Sequence, residues 1–168
     1  MSRTLVIGFG NRDRADDGVA YYVVNALRGR LGQRALAEDE TGLEALGAPV
    51  DSIFLSQLVP ELMDVVAPYR QIIFVDAHVG EERGDLYCAP VLPEDVSAAF
   101  THQMSPTMFL ALLKILYQQE PEGHIVSIRG YDFDFHPTLS PATSGLIGEA
   151  VDRIEQLHER LTEKPHPS

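Results

Sequence analysis

One cysteine, few basic side chains and no long apolar run are the first features of this 168-residue chain. A lone Cys88 excludes an intrachain disulfide, so a cytoplasmic location is expected, where thiols stay reduced. Thirteen Lys and Arg face 25 Asp and Glu, a net charge of -12. That balance argues against a nucleic-acid partner, because displacing phosphate counterions needs a basic face. It argues equally against docking on an anionic membrane surface. No segment approaches the roughly 20 apolar residues of a membrane span. The opening run Leu5-Val6-Ile7 is too short for the core of a signal peptide.

What is present is globular in kind. Hydrophobic residues make up 45% and charged residues 23%, enough to bury a sizeable core. The expectation is one domain over residues 1–163 with a frayed tail at 164–168. Leu5-Val6-Ile7, closed by Gly8-Phe9-Gly10-Asn11, predicts a short buried strand ending in a tight turn. After Asp16-Asp17-Gly18, Val19, Tyr22, Val23, Ala26, Leu27 and Leu31 recur at helical spacing. Residues 28–51 lack sustained periodicity and predict a loop. Ser52–Leu55 predicts a strand, and Pro60–Ala67 a short helix opened by proline. Gln71–Asp76 is the clearest strand, with a carboxylate at its C-terminal end. Asp85–Val91 predicts a further strand, antiparallel at the edge after the Gly80–Gly84 turn. Met108–Tyr117 is apolar nearly all round and predicts a buried helix. Ile125–Ile128 predicts a last strand, and the stripe from Leu146 to Leu161 a closing amphipathic helix. The alternation predicts an α/β three-layer sandwich, a mostly parallel twisted sheet with helices on both faces. Sites in such folds lie beyond the carboxyl ends of the strands.

Several signatures are missing. Gly8-Phe9-Gly10 opens a dinucleotide fingerprint, but its third glycine is replaced by Asp13, which would repel a pyrophosphate. The chain has no His-Glu-x-x-His pair and no Gly-x-Ser-x-Gly elbow. Cys88 lies in a predicted strand, where it packs as a small apolar residue. Without a supported nucleophile, hydrolysis would use metal-activated water or a polarised carbonyl. Three residues stand out. Asp17, with Asp16, either caps the following helix or serves a site. Asp76 ends a buried strand, where a carboxylate needs a compensating cap, cation or metal. His102, in a polar stretch before an apolar helix, is either a surface residue or a ligand. His78, two residues after Asp76, is held in reserve. Two carboxylates and an imidazole would suit nickel, zinc, manganese or iron, with positions left open.

Gly8-Phe9-Gly10-Asn11, with Asp17 six positions after the asparagine, resembles the N-terminal signature of the nickel–iron hydrogenase maturation endopeptidases. Asp76-Ala77 and His102-Gln103 are similar to that family's second acidic ligand and its histidine. The likeness runs from about Thr4 to Leu157 and is strongest before residue 80. It implies a five-stranded sheet between helices, with Asp17, Asp76 and His102 as metal ligands. Gly8, Gly10, Asn11 and Gln103 would contact the substrate, and no catalytic residue is assigned. It further implies a monomer that removes a C-terminal extension from the hydrogenase large-subunit precursor after nickel insertion. The nickel would arrive with that precursor, so the isolated protein holds no metal or another divalent one. Ser56-Gln57-Leu58-Val59-Pro60-Glu61-Leu62 departs from the family's usual turn and looks like the branch serving bidirectional, NAD-linked hydrogenases, as does Gly130–Phe135. Two alternatives stand beside this expectation: a non-catalytic nickel-sensing checkpoint of the precursor, and a metal-dependent hydrolase of small molecules.

Overall fold

Period-two burial on the strands decides the layers. In the computed structural model, which describes residues 2–93 and 104–163, strand β3 (Gln71–His78) sits at the middle of a five-stranded sheet. Ile73 and Val75 face one apolar cluster, while Ile72 and Phe74 face another. A strand buried on both faces reads as a continuous apolar run, which is why this segment is so legible. Around it lie β1 (Thr4–Phe9), β2 (Val50–Leu55), β4 (Leu86–Pro90) and β5 (Glu122–Arg129), in the order β2-β1-β3-β5-β4. All neighbours are parallel except β4, which runs antiparallel to β5, with Leu86 opposite Ile128.

Helices α1 (Val19–Arg30) and α4 (Ile147–Glu163) cover one face. Val19, Val23, Val24 and Leu27 of α1 pack there with Ala150, Val151 and Ile154 of α4. Helix α2 (Pro106–Tyr117) and a proline-led 3-10 turn, Pro60–Asp64, cover the other. Phe109 of α2 meets Phe74 edge-on, ring centroids 6.0 Å apart. The three-layer expectation is therefore met, including the antiparallel edge strand. A one-turn helix, α3 (Pro141–Ser144), precedes α4 and has no counterpart in the sequence expectation. Ser140 caps it by accepting from the Thr143 amide.

Two expectations change. The Pro60–Ala67 helix is only the 3-10 turn, and α2 is buried on one stripe rather than all round. Phe109, Leu110 and Leu113 lie against the sheet, but Ile115 and Leu116 are 59% and 61% exposed. The sheet offers α2 a single surface to cover, and among the described residues no second layer lies outside it. The expected tail at 164–168 lies outside the described residues. Among those residues no helix is long and apolar enough to cross a membrane.

The carboxyl ends of β1, β2, β3 and β5 all emerge at one end of the sheet. Chain direction through the sheet reverses between β1 and β3, with β2 on one side and β5 on the other. A crevice opens at such a switch point because the following connections leave in opposite directions.

Candidate active site

The floor of this crevice is built by the turn after β1. Gly10 has φ +153°, and a Cβ there would overlap the Asp17 carbonyl. Its amide donates to the Leu55 carbonyl at 3.2 Å, tying the turn to β2. The Asn11 amide donates to Asp17 Oδ2 at 2.9 Å, and Asn11 Oδ1 accepts from the Asp13 amide at 2.9 Å. Asp17 is thereby held against its own turn through one carboxylate oxygen. Gly10→Ala is expected to destabilise the protein by about 2–4 kcal/mol, through a strained φ plus a backbone collision. Urea unfolding measures this, and an unchanged midpoint would show that the turn relaxes freely.

The local sequence offers capping as a role for both acidic neighbours, and the geometry gives it to neither. Gly18 is the N-cap of α1, with no side-chain cap bond. Asp16 is fully buried and turns the other way, into the 130–143 segment. Its carboxylate accepts from the amides of Tyr131, Asp132 and Ser140 and from the hydroxyls of Ser140 and Thr143. Adjacent residues in this 3-10 turn, Ala15–Gly18, thus point one carboxylate to the core and one to the crevice.

Asp76 stands near the end of β3, opposite Ser127 on β5. Its Oδ1 is buried without a hydrogen-bond partner among the described residues. Burial pushes this carboxyl above the usual range; the Ser127 hydroxyl, His78 and Arg83 pull against that, and the negative charge of Asp17 adds to it. The Asp17 charge that adds to the cost of ionising Asp76 invites a cation between the two carboxylates. His78 does not supply a free ligand. Its Nε2 meets the Gly84 carbonyl at 2.9 Å and must carry the proton there, while Nδ1 meets Ser127 Oγ at 2.9 Å. Both ring nitrogens are committed.

Asp17 and Asp76 line one cleft of about 500 Å³, together with Phe9, Gly10, Asn11, Arg14, Ser56, Gln57, Leu58, Ala77 and Met104. His102 and Gln103 lie outside the described residues, and Met104, which follows them, lines the cleft. Among the described residues no group of three His, Cys, Asp or Glu side chains is placed to hold a metal ion. Gly8 does not line this cleft. It is buried within β1, where a Cβ would press on Val24 and Ala20 of α1, so its smallness serves helix packing. Cys88 packs against the α1–α4 cluster, and burial pushes its thiol pKa up, as befits an inert cysteine. An apolar cavity of about 350 Å³ near Val91 and Leu110 lies at the opposite end of the sheet. Sequence reasoning missed Arg14 and Phe133, which line the crevice from the side. An arginine in a turn carries no local signal; Phe133 does lie in the Gly130–Phe135 segment singled out by resemblance.

No protein-family model matches the chain, and no curated protein matches it. Solved structures do. The hydrogenase maturating endopeptidase HybD from E. coli superposes with a TM-score of 0.66 at 23% identity, covering 94% of this chain and 93% of that one. The fold is that of the hydrogenase maturation proteases. The [NiFe] hydrogenase maturation protease HybD from Thermococcus kodakarensis has a TM-score of 0.65 at 17% identity, with coverage of 93% and 99%. HycI from Thermococcus kodakarensis KOD1, also a [NiFe] hydrogenase maturation protease, has a TM-score of 0.61 at 21% identity, with coverage of 96% and 94%. At these identities the likeness establishes the shared architecture over nearly the whole of each chain.

Proposed function

We propose that this chain is a monomeric cytoplasmic endopeptidase that removes the C-terminal extension of a nickel–iron hydrogenase large-subunit precursor after nickel insertion. The observation that carries the proposal is the Asp76 carboxylate. It has a buried oxygen with no partner among the described residues, is raised in pKa, and shares a cleft with Asp17 at the switch point of a maturation-protease fold. A structural carboxylate would have its oxygens satisfied, as those of Asp16 are.

The donor set fits an intermediate divalent metal that brings other ligands with it. Asp17 and Asp76 hold two positions, and His102 is assigned the third on its resemblance to the family's histidine. Nickel here belongs to the substrate, carried in by the precursor. Bound in the cleft, it would supply Lewis acidity beside the scissile carbonyl. The chain's own residues position the substrate: the Gly10–Asn11 turn forms the floor, and Gln103 is assigned a contact with the extension. Ser56 and Gln57 line the cleft with Leu58, while Leu62 of the same segment is buried in the core. That segment and Gly130–Phe135 support assignment to the branch serving bidirectional, NAD-linked hydrogenases.

The Ser127 hydroxyl, which meets His78 beside the cleft, is fully buried, and this burial favours a second reading, a checkpoint that binds the nickel-loaded precursor without cutting it. Intact mass of the precursor after mixing separates the two. The proposal expects loss of the C-terminal peptide from nickel-loaded precursor and no change in nickel-free precursor. A stable complex of unchanged mass would establish the checkpoint instead. A tightly bound metal in the isolated protein, with hydrolysis of small esters, would favour the small-molecule hydrolase.

A further inference from the structure

The crevice continues into a side arm of about 610 Å³ lined by Asp17 together with Arg14, Ala77, His78, Val79, Glu82, Arg83 and Phe133. Two guanidinium groups are presented there, and both rest on aromatic rings. Arg14 donates through Nε to the Phe133 carbonyl at 3.2 Å and lies 4.9 Å over the Phe135 ring. Arg83 lies 4.7 Å over the Tyr87 ring. Stacking fixes the plane of a guanidinium while leaving its outer N–H groups available for a planar acceptor. Arg3, Arg30, Arg34 and Arg129 each pair with a carboxylate. Among the described residues no carboxylate lies within ion-pairing distance of Arg14 or Arg83. The opposite arm of the crevice, about 420 Å³, carries Asp13, Glu38, Asp39 and Glu40 with Arg12 as its basic side chain. It shares Gly10, Asn11, Ser56 and Gln57 with the central cleft. The two arms therefore differ in charge, four carboxylates against Arg12 at one end and Arg14 and Arg83 against Asp17 and Glu82 at the other, so an anion meets less repulsion in the arginine arm.

We infer that Arg14 and Arg83 form a carboxylate-binding subsite that takes the extension side of the cleaved peptide and sets its direction across the Asp17–Asp76 cleft. This rests on the endopeptidase reading, since it is a peptide substrate that narrows the anion to a carboxylate. Two carboxylates qualify, an acidic side chain of the extension or its terminal carboxyl group, and the chemistry of recognition is the same for both. Val79, 72% exposed, and Phe133 supply the apolar wall for neighbouring side chains. Glu82 also lines the arm; as an exposed side chain it can swing into water when an anion enters. A fork of charge-assisted hydrogen bonds in such a setting contributes roughly tenfold or more to affinity per arginine.

The test uses the full chain and three hexapeptides of alanine, leucine and valine, each carrying an uncharged coumarin at the N-terminus. One has a free terminal carboxyl, one is amidated with a single glutamate, and one is amidated and neutral. Fluorescence anisotropy at low salt should show at least one carboxylate peptide binding roughly tenfold more tightly than the neutral one. Arg83→Gln and the Arg14→Gln, Arg83→Gln double variant should lose that preference stepwise. Whichever carboxylate peptide binds identifies the source. Arg83→Gln alters only an exposed side chain, and a melting curve checks that Arg14→Gln leaves the 130–136 segment folded, with Arg14→Lys as a second variant that keeps the charge. Equal binding of all three peptides, no binding of any, or unchanged preference in the double variant overturns the inference. Processing of nickel-loaded precursor is followed in parallel. Cleavage without the peptide preference sinks the subsite alone, and the preference without cleavage sinks the endopeptidase reading while leaving the carboxylate subsite standing.

Discussion

Asp76→Asn is expected to abolish precursor processing while raising thermal stability. The substitution keeps the shape of the side chain and removes the charge that a metal would meet. Loss of one such preorganised charge lowers turnover by about a thousandfold, or ~4 kcal/mol of barrier. Stability moves the other way because burial raises the Asp76 pKa, so the fold favours its neutral form. A carboxyl with a raised folded pKa stabilises the native state only at low pH, and that contribution is lost as pH rises through the folded value. Above the ordinary carboxylate range the buried group is a burden that asparagine removes. Melting midpoint and processing rate, measured on the same preparation, should therefore diverge, with a midpoint a few degrees higher. A fall in both would mark Asp76 as a structural carboxylate. Divergence of this kind is how a functional site that costs stability reveals itself.

Asp16→Asn should do the opposite, harming the fold first. Four of the five donors around this carboxylate converge on Oδ2: the amides of Tyr131 and Asp132 at 2.7 and 2.9 Å and the hydroxyls of Ser140 and Thr143 at 2.7 and 2.9 Å. An amide placed there either turns its NH2 toward donors or weakens every bond, leaving buried groups unsatisfied. The expected cost is about 3–5 kcal/mol, which lowers the melting midpoint by ~10 °C in a chain of this size. Burial pushes the Asp16 carboxyl up, but the bonds from Tyr131, Ser140 and Asp132 outweigh it and leave its pKa below the ordinary 3.8. Its contribution is thus fully present above that ordinary value and disappears as pH falls through the lowered one. The variant should show a flatter loss of stability below pH ~4 than the parent, because its side chain no longer titrates. A melting midpoint within a degree of the parent's would mean that the 130–143 segment is held by other contacts. Because that segment carries Phe133 to the crevice, processing should fall along with stability.

The contrast between these neighbours shows what the sequence could and could not carry. β3 was legible because a strand buried on both faces leaves an unbroken apolar run. The placement of Asp76 followed from it, since the last apolar residue marks where the strand meets the crevice. The turn at Gly10 was legible through its glycine, which a positive φ and the Asp17 carbonyl both require. By contrast Asp16 and Asp17 look interchangeable before a helix, and only the returning segment 115 or more residues later separates them. Local sequence has no access to a contact of that span. The same limit hid Arg14, whose partner Phe133 is 119 positions away. It also explains α2, whose composition reads as buried all round although its outer stripe faces nothing among the described residues. Gly8 serves packing against α1, and a glycine required for packing looks the same in a Gly-x-Gly turn as one required for a cleft. His102 rests on resemblance, and its assignment is a separate claim from the geometry of the two carboxylates.

The most direct measurement is nickel-edge X-ray absorption of a nickel-loaded precursor, first alone and then with the protein added in excess. If Asp17 and Asp76 read the precursor's nickel, the added protein should bring new oxygen and nitrogen scatterers at about 2 Å into its shell. Asp76→Asn should reduce that change. A nickel spectrum that stays the same on mixing, while the precursor is still shortened, would contradict the account.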